Sequence, residues 1–326
     1  MRKKLSSHIF YTVLSLLFIA SSCSLVADKL EDCEDAMNTK MHFELKFTEA
    51  ISDADNLDLQ EIAKYIVIYV FDEDGNFANQ LNIENPIFGH TYELDTLPNF
   101  KVAGKYEFVA WINTPDSYYK IIGDEKVRSV KKNKSELMLQ LNLSENRVIG
   151  NELQALLHGD IIQQINFDGH DEVNIPVNRI SNMINLTVEG LPANSDEYTF
   201  TLDDSNGAYD FEANYLDFDM FQYKETLQQK DELAQILSCS LRVLKISEDR
   251  IVRMALINQT TGKTIYPQNG DEDDLIEIIK KAYNGKDIDF DAKHNFNVKL
   301  NFQPDFSVII SIDDWVIDDS TDVIGN

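Results

Sequence analysis

Two stretches of the 326-residue chain concentrate groups that could hold a metal: His158-Gly159-Asp160, and a little further on Asp168-Gly169-His170-Asp171-Glu172. Imidazole nitrogens and carboxylate oxygens are ordinary ligands of divalent transition metals. Their spacing fits no metal-binding pattern, and polar runs containing glycine also connect domains over a surface, so connection is the favoured reading. The run Asp72-Glu73-Asp74-Gly75-Asn76 superficially suggests calcium, but it lacks the extended ligand spacing and closing bidentate Glu of a calcium loop. A hairpin turn explains it better. Asn269-Gly270-Asp271-Glu272-Asp273-Asp274 reads as a capped helix start, with calcium the minor alternative. Tyr118-Tyr119 and Trp315 could stack on sugars, and core or edge packing is the simpler assignment. Gly-x-Ser-x-Gly, His-Glu-x-x-His, phosphate-binding glycine loops and paired Cys-x-x-Cys are all missing. The expectation is a protein that is not an enzyme and needs no cofactor or metal.

The most informative reactive group is the thiol of Cys23. Arg2, Lys3 and Lys4 precede the apolar run from Ile9 to Ala20, which is followed by Ser21, Ser22 and Cys23. A charged, then apolar, then small order is that of a secretory signal. The apolar run is too short for a membrane span, which takes about 20 residues. Cys23 directly after Ala20-Ser21-Ser22 looks like a relaxed bacterial lipobox, so cleavage is expected between Ser22 and Cys23 with a lipid on the new N-terminal cysteine. Each buried methylene of an acyl chain contributes about 0.8 kcal/mol, and stable anchoring takes more than one chain. A plain signal peptide that happens to end before a cysteine is the competing reading. Ser24 is not an inner-membrane retention residue, and Asp28, Glu31, Asp32, Glu34 and Asp35 form an acidic tether of the kind that accompanies export to the outer face of the outer membrane.

Composition narrows the partners. The net charge is −27, and loss of residues 1–22 removes Arg2, Lys3 and Lys4 and makes the body more acidic still. An acidic surface repels phosphate backbones, so no nucleic acid partner is expected. Only Cys33 and Cys239 remain beside Cys23, too few for a disulfide-dense scaffold. They could pair in an oxidising envelope, but Cys33 lies in the tether.

Period-two alternation dominates the rest, as in half-buried strands. It runs through Met41, Phe43, Leu45 and Phe47; Leu137 to Leu143; Ile184, Leu186 and Val188; Phe296 to Phe302; and Val308, Ile310 and Ile312. Tyr65 to Phe71 and Tyr106 to Ile112 are continuous β-branched and aromatic runs suited to central strands. A hairpin is expected at Met254–Ile257 and Thr264–Tyr266 around Gly262. Helices are few: Leu275, Ile278, Ile279, Ala282 and Tyr283 make one apolar stripe, and shorter candidates are Leu57–Ala63, Glu152–Leu157 and Leu227–Leu237. The expected organisation is a signal peptide (1–22), an acidic tether (23–36) and two β-sandwiches (37–165 and 166–326), all-β with short helical insertions.

Several of these segments together resemble the fimbrillin-anchor lipoproteins of the Bacteroidales, the fimbrial anchoring subunits. They are Cys23 followed by Asp28-Lys29-Leu30-Glu31-Asp32-Cys33, the strand from Met41 to Phe47, Ile66 to Phe77, and Gly104 to Asn113. Pro176 to Leu186 looks like that family's opening strand of the second domain, and Ile312-Asp313-Asp314-Trp315 like its closing one. The resemblance implies two tandem transthyretin-like Greek-key β-sandwich domains and a place at the base of a fimbrium on the cell surface. There the lipid on Cys23 holds the filament to the outer membrane and the subunit limits its length. Fimbrillin subunits would be partners by β-strand addition. The candidate donor strand carries Phe306, Val308, Ile310, Ile312 and Trp315; an ordinary last strand of the second sandwich is the favoured alternative. The rival function is a surface lipoprotein that captures glycans.

Overall fold

The structure is a computed structural model. It describes residues 42–49 (backbone), 59–87, 90, 92, 103–115, 117–123, 133–150, 153–165, 170–192, 196–231, 235–268, 273–283, 288–305, 307–313 and 315–317. Ser22, Cys23, Cys33, Phe306 and the tether lie outside these residues. In chain order the first half contains β1 (His42–Glu49), α1 (Leu59–Ile62), β2 (Tyr65–Asp72), β3 (Phe77–Glu84), β4 (Gly104–Ile112), β5 (Tyr119–Ile122), β6 (Met138–Leu141), β7 (Val148–Ile149), β8 (Leu157–Ile165) and β9 (His170–Arg179). The second half contains β10 (Ser181–Glu189), β11 (Tyr198–Asp204), β12 (Ala208–Asp210), β13 (Phe221–Thr226), β14 (Gln228–Asp231), β15 (Ile236–Leu244), β16 (Arg253–Asn258), β17 (Lys263–Tyr266) and β18 (Asp273–Asp274). It ends with α2 (Leu275–Ala282), β19 (Asn295–Phe302), β20 (Val308–Ile312) and β21 (Trp315–Val316). The fold is all-β. Among the described residues no helix is long and apolar enough to cross a membrane.

The first sheet has the order β1-β9-β8-β4-β2-β3. Its central strands are buried on both faces, as their unbroken apolar sequence requires: Ile66, Ile68, Val70, Phe108 and Ala110 point into one core, and Val67, Tyr69, Phe71, Val109 and Trp111 into the other. The second half pairs a sheet β14-β15-β10-β19-β20-β21 with a sheet β17-β16-β11-β13-β7. Ile184, Leu186, Val188, Phe296, Val298 and Leu300 of the former share a core with Phe200, Leu202, Met254 and Leu256 of the latter. Helix α2 closes this core with Leu275, Ile276, Ile278 and Ile279. Asp274 caps it, its carboxylate accepting from the Ile276 N–H at 3.0 Å.

Sheet membership changes over at Ile180. Strand β9 pairs with β8 and β1 in the first sheet, so Pro176–Arg179 close the first half and do not open the second. Two further pairings cross the expected division: β12 joins β5 and β6, and β7 runs parallel to β13. Two helix expectations also give way. Gln228–Asp231 form an edge strand against β15, and Leu153–Leu156 are irregular before β8 begins at Leu157. All four residues of β14 are exposed, so no buried face imposes a pattern on them and the good helix formers Gln and Lys mislead.

Candidate interaction surfaces and the joint between the halves

The two histidine positions do not come together. His158 sits on β8 opposite Asn178, eight residues along β9 from His170. At a strand rise of roughly 3.3 Å per residue the two positions are about 26 Å apart. His158 is instead a buried core residue: its ring packs against Trp111 at 4.6 Å, tilted by 55°, and its Nε2 lies 3.1 Å from the Phe211 carbonyl oxygen. Burial pushes its pKa down, against the charges of Asp160, Asp210 and Glu212 and the contact with Phe211. Gly159 beside it is a packing glycine, since a Cβ there would meet the Pro176 carbonyl oxygen at 2.3 Å. Among the described residues no three metal-binding side chains come together.

Asp72–Asn76 form a hairpin turn. The Asp72 carboxylate accepts from the N–H groups of Asp74 (3.0 Å) and Asn76 (2.9 Å), Gly75 takes φ +76°, and its N–H donates to the Asp72 carbonyl. Those backbone donors use the oxygen that a calcium ion would need. Tyr119 is buried and Tyr118 packs half-buried against the same core. Cys239 is a free, buried thiol whose pKa burial pushes up to about 12.

Val308, Ile310 and Ile312 lie on β20, antiparallel to β19, and Trp315 lies on β21 at the outer edge of that sheet. Ile312 is fully buried, whereas Ile309, Trp315 and Val316 are among the large apolar residues left exposed. The corner between β20 and β21 is fixed by Asp313 in the left-handed region (φ 53°). Its carboxylate accepts from the Tyr283 hydroxyl at 2.6 Å and from the N–H (3.1 Å) and Nδ2 (2.9 Å) of Asn297, and it pairs with Lys293 at 3.2 Å. Burial works against ionisation, but those donors and the Lys293 charge outweigh it and hold the pKa below the usual carboxylate range.

The joint between the halves is a set of residues that no local motif announces. Phe211, just after β12, sends its ring edgewise onto Tyr69 (5.1 Å), Trp111 (5.9 Å) and Phe71 (6.0 Å) of the first sheet. Burying such a ring is worth about 1.5–3 kcal/mol, and each aromatic pair adds about 0.5–1.5 kcal/mol. The crossing itself is strapped: Ile180 N–H donates to the Leu156 carbonyl (2.8 Å), and Lys245 N–H to the Ile180 carbonyl (3.0 Å). The fully buried Asn182 accepts from Ile246 N–H at 2.8 Å and donates to the Lys293 carbonyl at 3.2 Å.

Comparison with known proteins places the chain in a family. A family model described as fimbrillin-A associated anchor proteins Mfa1 and Mfa2 matches residues 30–321. Among solved structures, the fimbrial anchor protein Mfa2 of Porphyromonas gingivalis superposes with a TM-score of 0.63 at 18% identity, over 85% of this chain and 98% of that one. A Bacteroides thetaiotaomicron protein provisionally described as polysaccharide-binding gives 0.69 at 20% identity, over 86% and 99%. A second protein of that organism, provisionally described as an adhesin, gives 0.64 at 16% identity, over 85% and 98%. A search of curated proteins finds no match.

Proposed function

The chain belongs to the family of fimbrillin-A associated anchor proteins, and from that premise we propose that it is the lipid-held base of a surface fimbrium. In this reading Cys23 becomes the first residue of the mature protein and carries the acyl chains that fix it to the outer membrane. The acidic tether 23–36 spaces the body from the bilayer, and the body receives fimbrillin subunits by β-strand addition. The observation that carries the proposal is the position of the family match: it begins at residue 30, just beyond a lipobox-like cysteine, and runs to residue 321.

A limit on filament length fits the same topology. Strand β1 fills the place beside β9 along all eight of its residues, so that place is not open to a neighbour's strand. Removing β1 would sever the body from Cys23, and an anchor therefore has to keep it.

Mass spectrometry of the protein extracted from membranes tests the tether, with an acylated cysteine at position 23 expected at the N-terminus. A mature chain that starts elsewhere, or a bare thiol there, overturns the lipid attachment. Deleting the gene tests the role: filaments are expected in the medium, detached from cells. Filaments that stay attached at unchanged length defeat the anchor reading. Protease shaving of intact cells checks exposure, with digestion expected.

A further inference from the structure

A cleft of about 340 Å³, lined by Ser205, Leu216, Asp217, Phe218, Asp219 and Arg250, lies in the second half. Its floor is fixed. Asp204 ends β11 almost fully buried, and its Oδ1 accepts from Arg250 Nε (3.2 Å) and Nη2 (2.9 Å). Nη2 also donates to Ser205 Oγ at 2.7 Å, and the guanidinium lies over the Tyr215 ring, 4.8 Å from its centroid. These contacts orient Arg250 and leave its Nη1 without a hydrogen bond among the described residues.

One wall is equally constrained. The Phe218 ring presses on Gly207, where a Cβ would come within 2.3 Å of it, and Arg147 covers it at 5.2 Å. Arg147 also donates to the carbonyls of Asp219 (2.6 Å) and Met220 (2.9 Å), which pins the loop that carries both acids. The Asp217 and Asp219 side chains remain exposed at the cleft, Asp219 in an exposed ion pair with Arg147 at 3.7 Å. Adjacent in the chain to Asp219 and Arg250 stand Met220 and Ile251, 46% and 64% exposed.

The cleft therefore offers an oriented cationic donor and two carboxylate acceptors within one small volume whose lining is mostly polar. An anionic ligand would meet Asp217 and Asp219, and a cationic one would meet Arg250. A hydroxyl both donates and accepts, so a neutral polyhydroxylated ring satisfies both kinds of group. The volume is at the small end of ligand pockets, roughly 300–1,000 Å³, and suits a sugar unit better than a peptide strand, which needs a sheet edge or a long groove. We infer that this cleft binds a neutral saccharide unit.

The test is saturation-transfer NMR on the mature chain, made soluble by Cys23→Ser, with the methyl glycosides of glucose, galactose, mannose and N-acetylglucosamine as probes. Transfer to at least one is expected, reduced severalfold in the Asp217→Ala/Asp219→Ala double variant at unchanged melting temperature, with glucuronate and glucosamine giving weaker signals. Both altered side chains are exposed, so the variant keeps its fold. Silence from all four glycosides, equal transfer in the double variant, or preference for either charged sugar overturns the inference. Binding here needs neither lipid nor fimbrillin, so its failure and that of the anchor reading are separate results.

Discussion

His42 lies opposite His170 at the head of two strands that run in the same direction, and the pairing continues to Glu49 opposite Val177. Strand β9 then passes through Ile180 into β10. A pull on the tether at His42, resisted by the second half at Arg179, draws β1 and β9 past each other along their length. The ladder is loaded in shear, with its pairs sharing the load. A pull on Glu49 instead peels the pairs one after another. Single-molecule stretching against a C-terminal handle, with attachment through His42→Cys or Glu49→Cys in a Cys33→Ser background, should give the higher rupture force at position 42. Equal forces, or a higher force at 49, contradict a tether clamped by this ladder.

Asn113 is a buried polar hub. It takes φ 64°, its Oδ1 accepts from the N–H groups of Lys64 (2.7 Å) and Tyr65 (3.3 Å), and its Nδ2 donates to the carbonyls of Ile62 (2.7 Å) and Ala155 (2.8 Å). One side chain thus ties α1, the start of β2 and the approach to β8 together. Asn113→Ala strands those groups and should cost about 3–5 kcal/mol in denaturant unfolding. Asn113→Gly relieves the backbone but not the lost bonds and should remain clearly destabilised. Recovery of wild-type stability in the glycine variant would show that only the backbone angle mattered.

How legible this was in the sequence depended on how local each signal is. Ile184, Leu186 and Val188 alternate because one face of β10 meets the core, and Tyr65–Phe71 reads as central because both faces are covered. The Asp72–Asn76 turn and the Asp274 cap are encoded within a few residues. Partner choice is not encoded that way. Nothing near Tyr209 says that β12 crosses to β6, nothing near Phe211 announces its seat on Trp111, and Arg250 finds Asp204 from 46 positions away. Leu227–Leu237 was legible only through propensity, and its exposed edge position let that weak signal point the wrong way. The lipid on Cys23 and the tether are statements about residues outside those the structure describes.

His158 makes stability sensitive to mildly acidic pH. Burial lowers its pKa in the folded protein, so below the unfolded value of about 6.5 the unfolded chain takes up the proton first. The contribution is fully present above that value and is lost as pH falls below it, by at most about 1.4 kcal/mol per pH unit for one proton. Urea midpoints measured from neutral to mildly acidic pH should fall, and His158→Gln should flatten the decline. An unchanged slope in the variant removes His158 as the source.

The last strands test donation against simple closure of the second sandwich. Val308, Ile310 and Ile312 pack on the shared core while β20 completes the ladder with β19, so removing residues 306–326 uncovers Ile312's site and the β19 edge together. Loss of a buried isoleucine alone costs about 2–5 kcal/mol, and the truncated chain should be insoluble. Trp315 and Val316 are different: they are 44% and 63% exposed, on the outermost strand. Trp315→Ala with Val316→Ala should therefore leave the melting temperature within a few degrees of wild type. If that double variant still co-purifies with fimbriae as well as the parent, these two residues contribute nothing to subunit capture. A folded double variant that loses its fimbriae assigns the outer edge to the partner, a distinction the truncation cannot make.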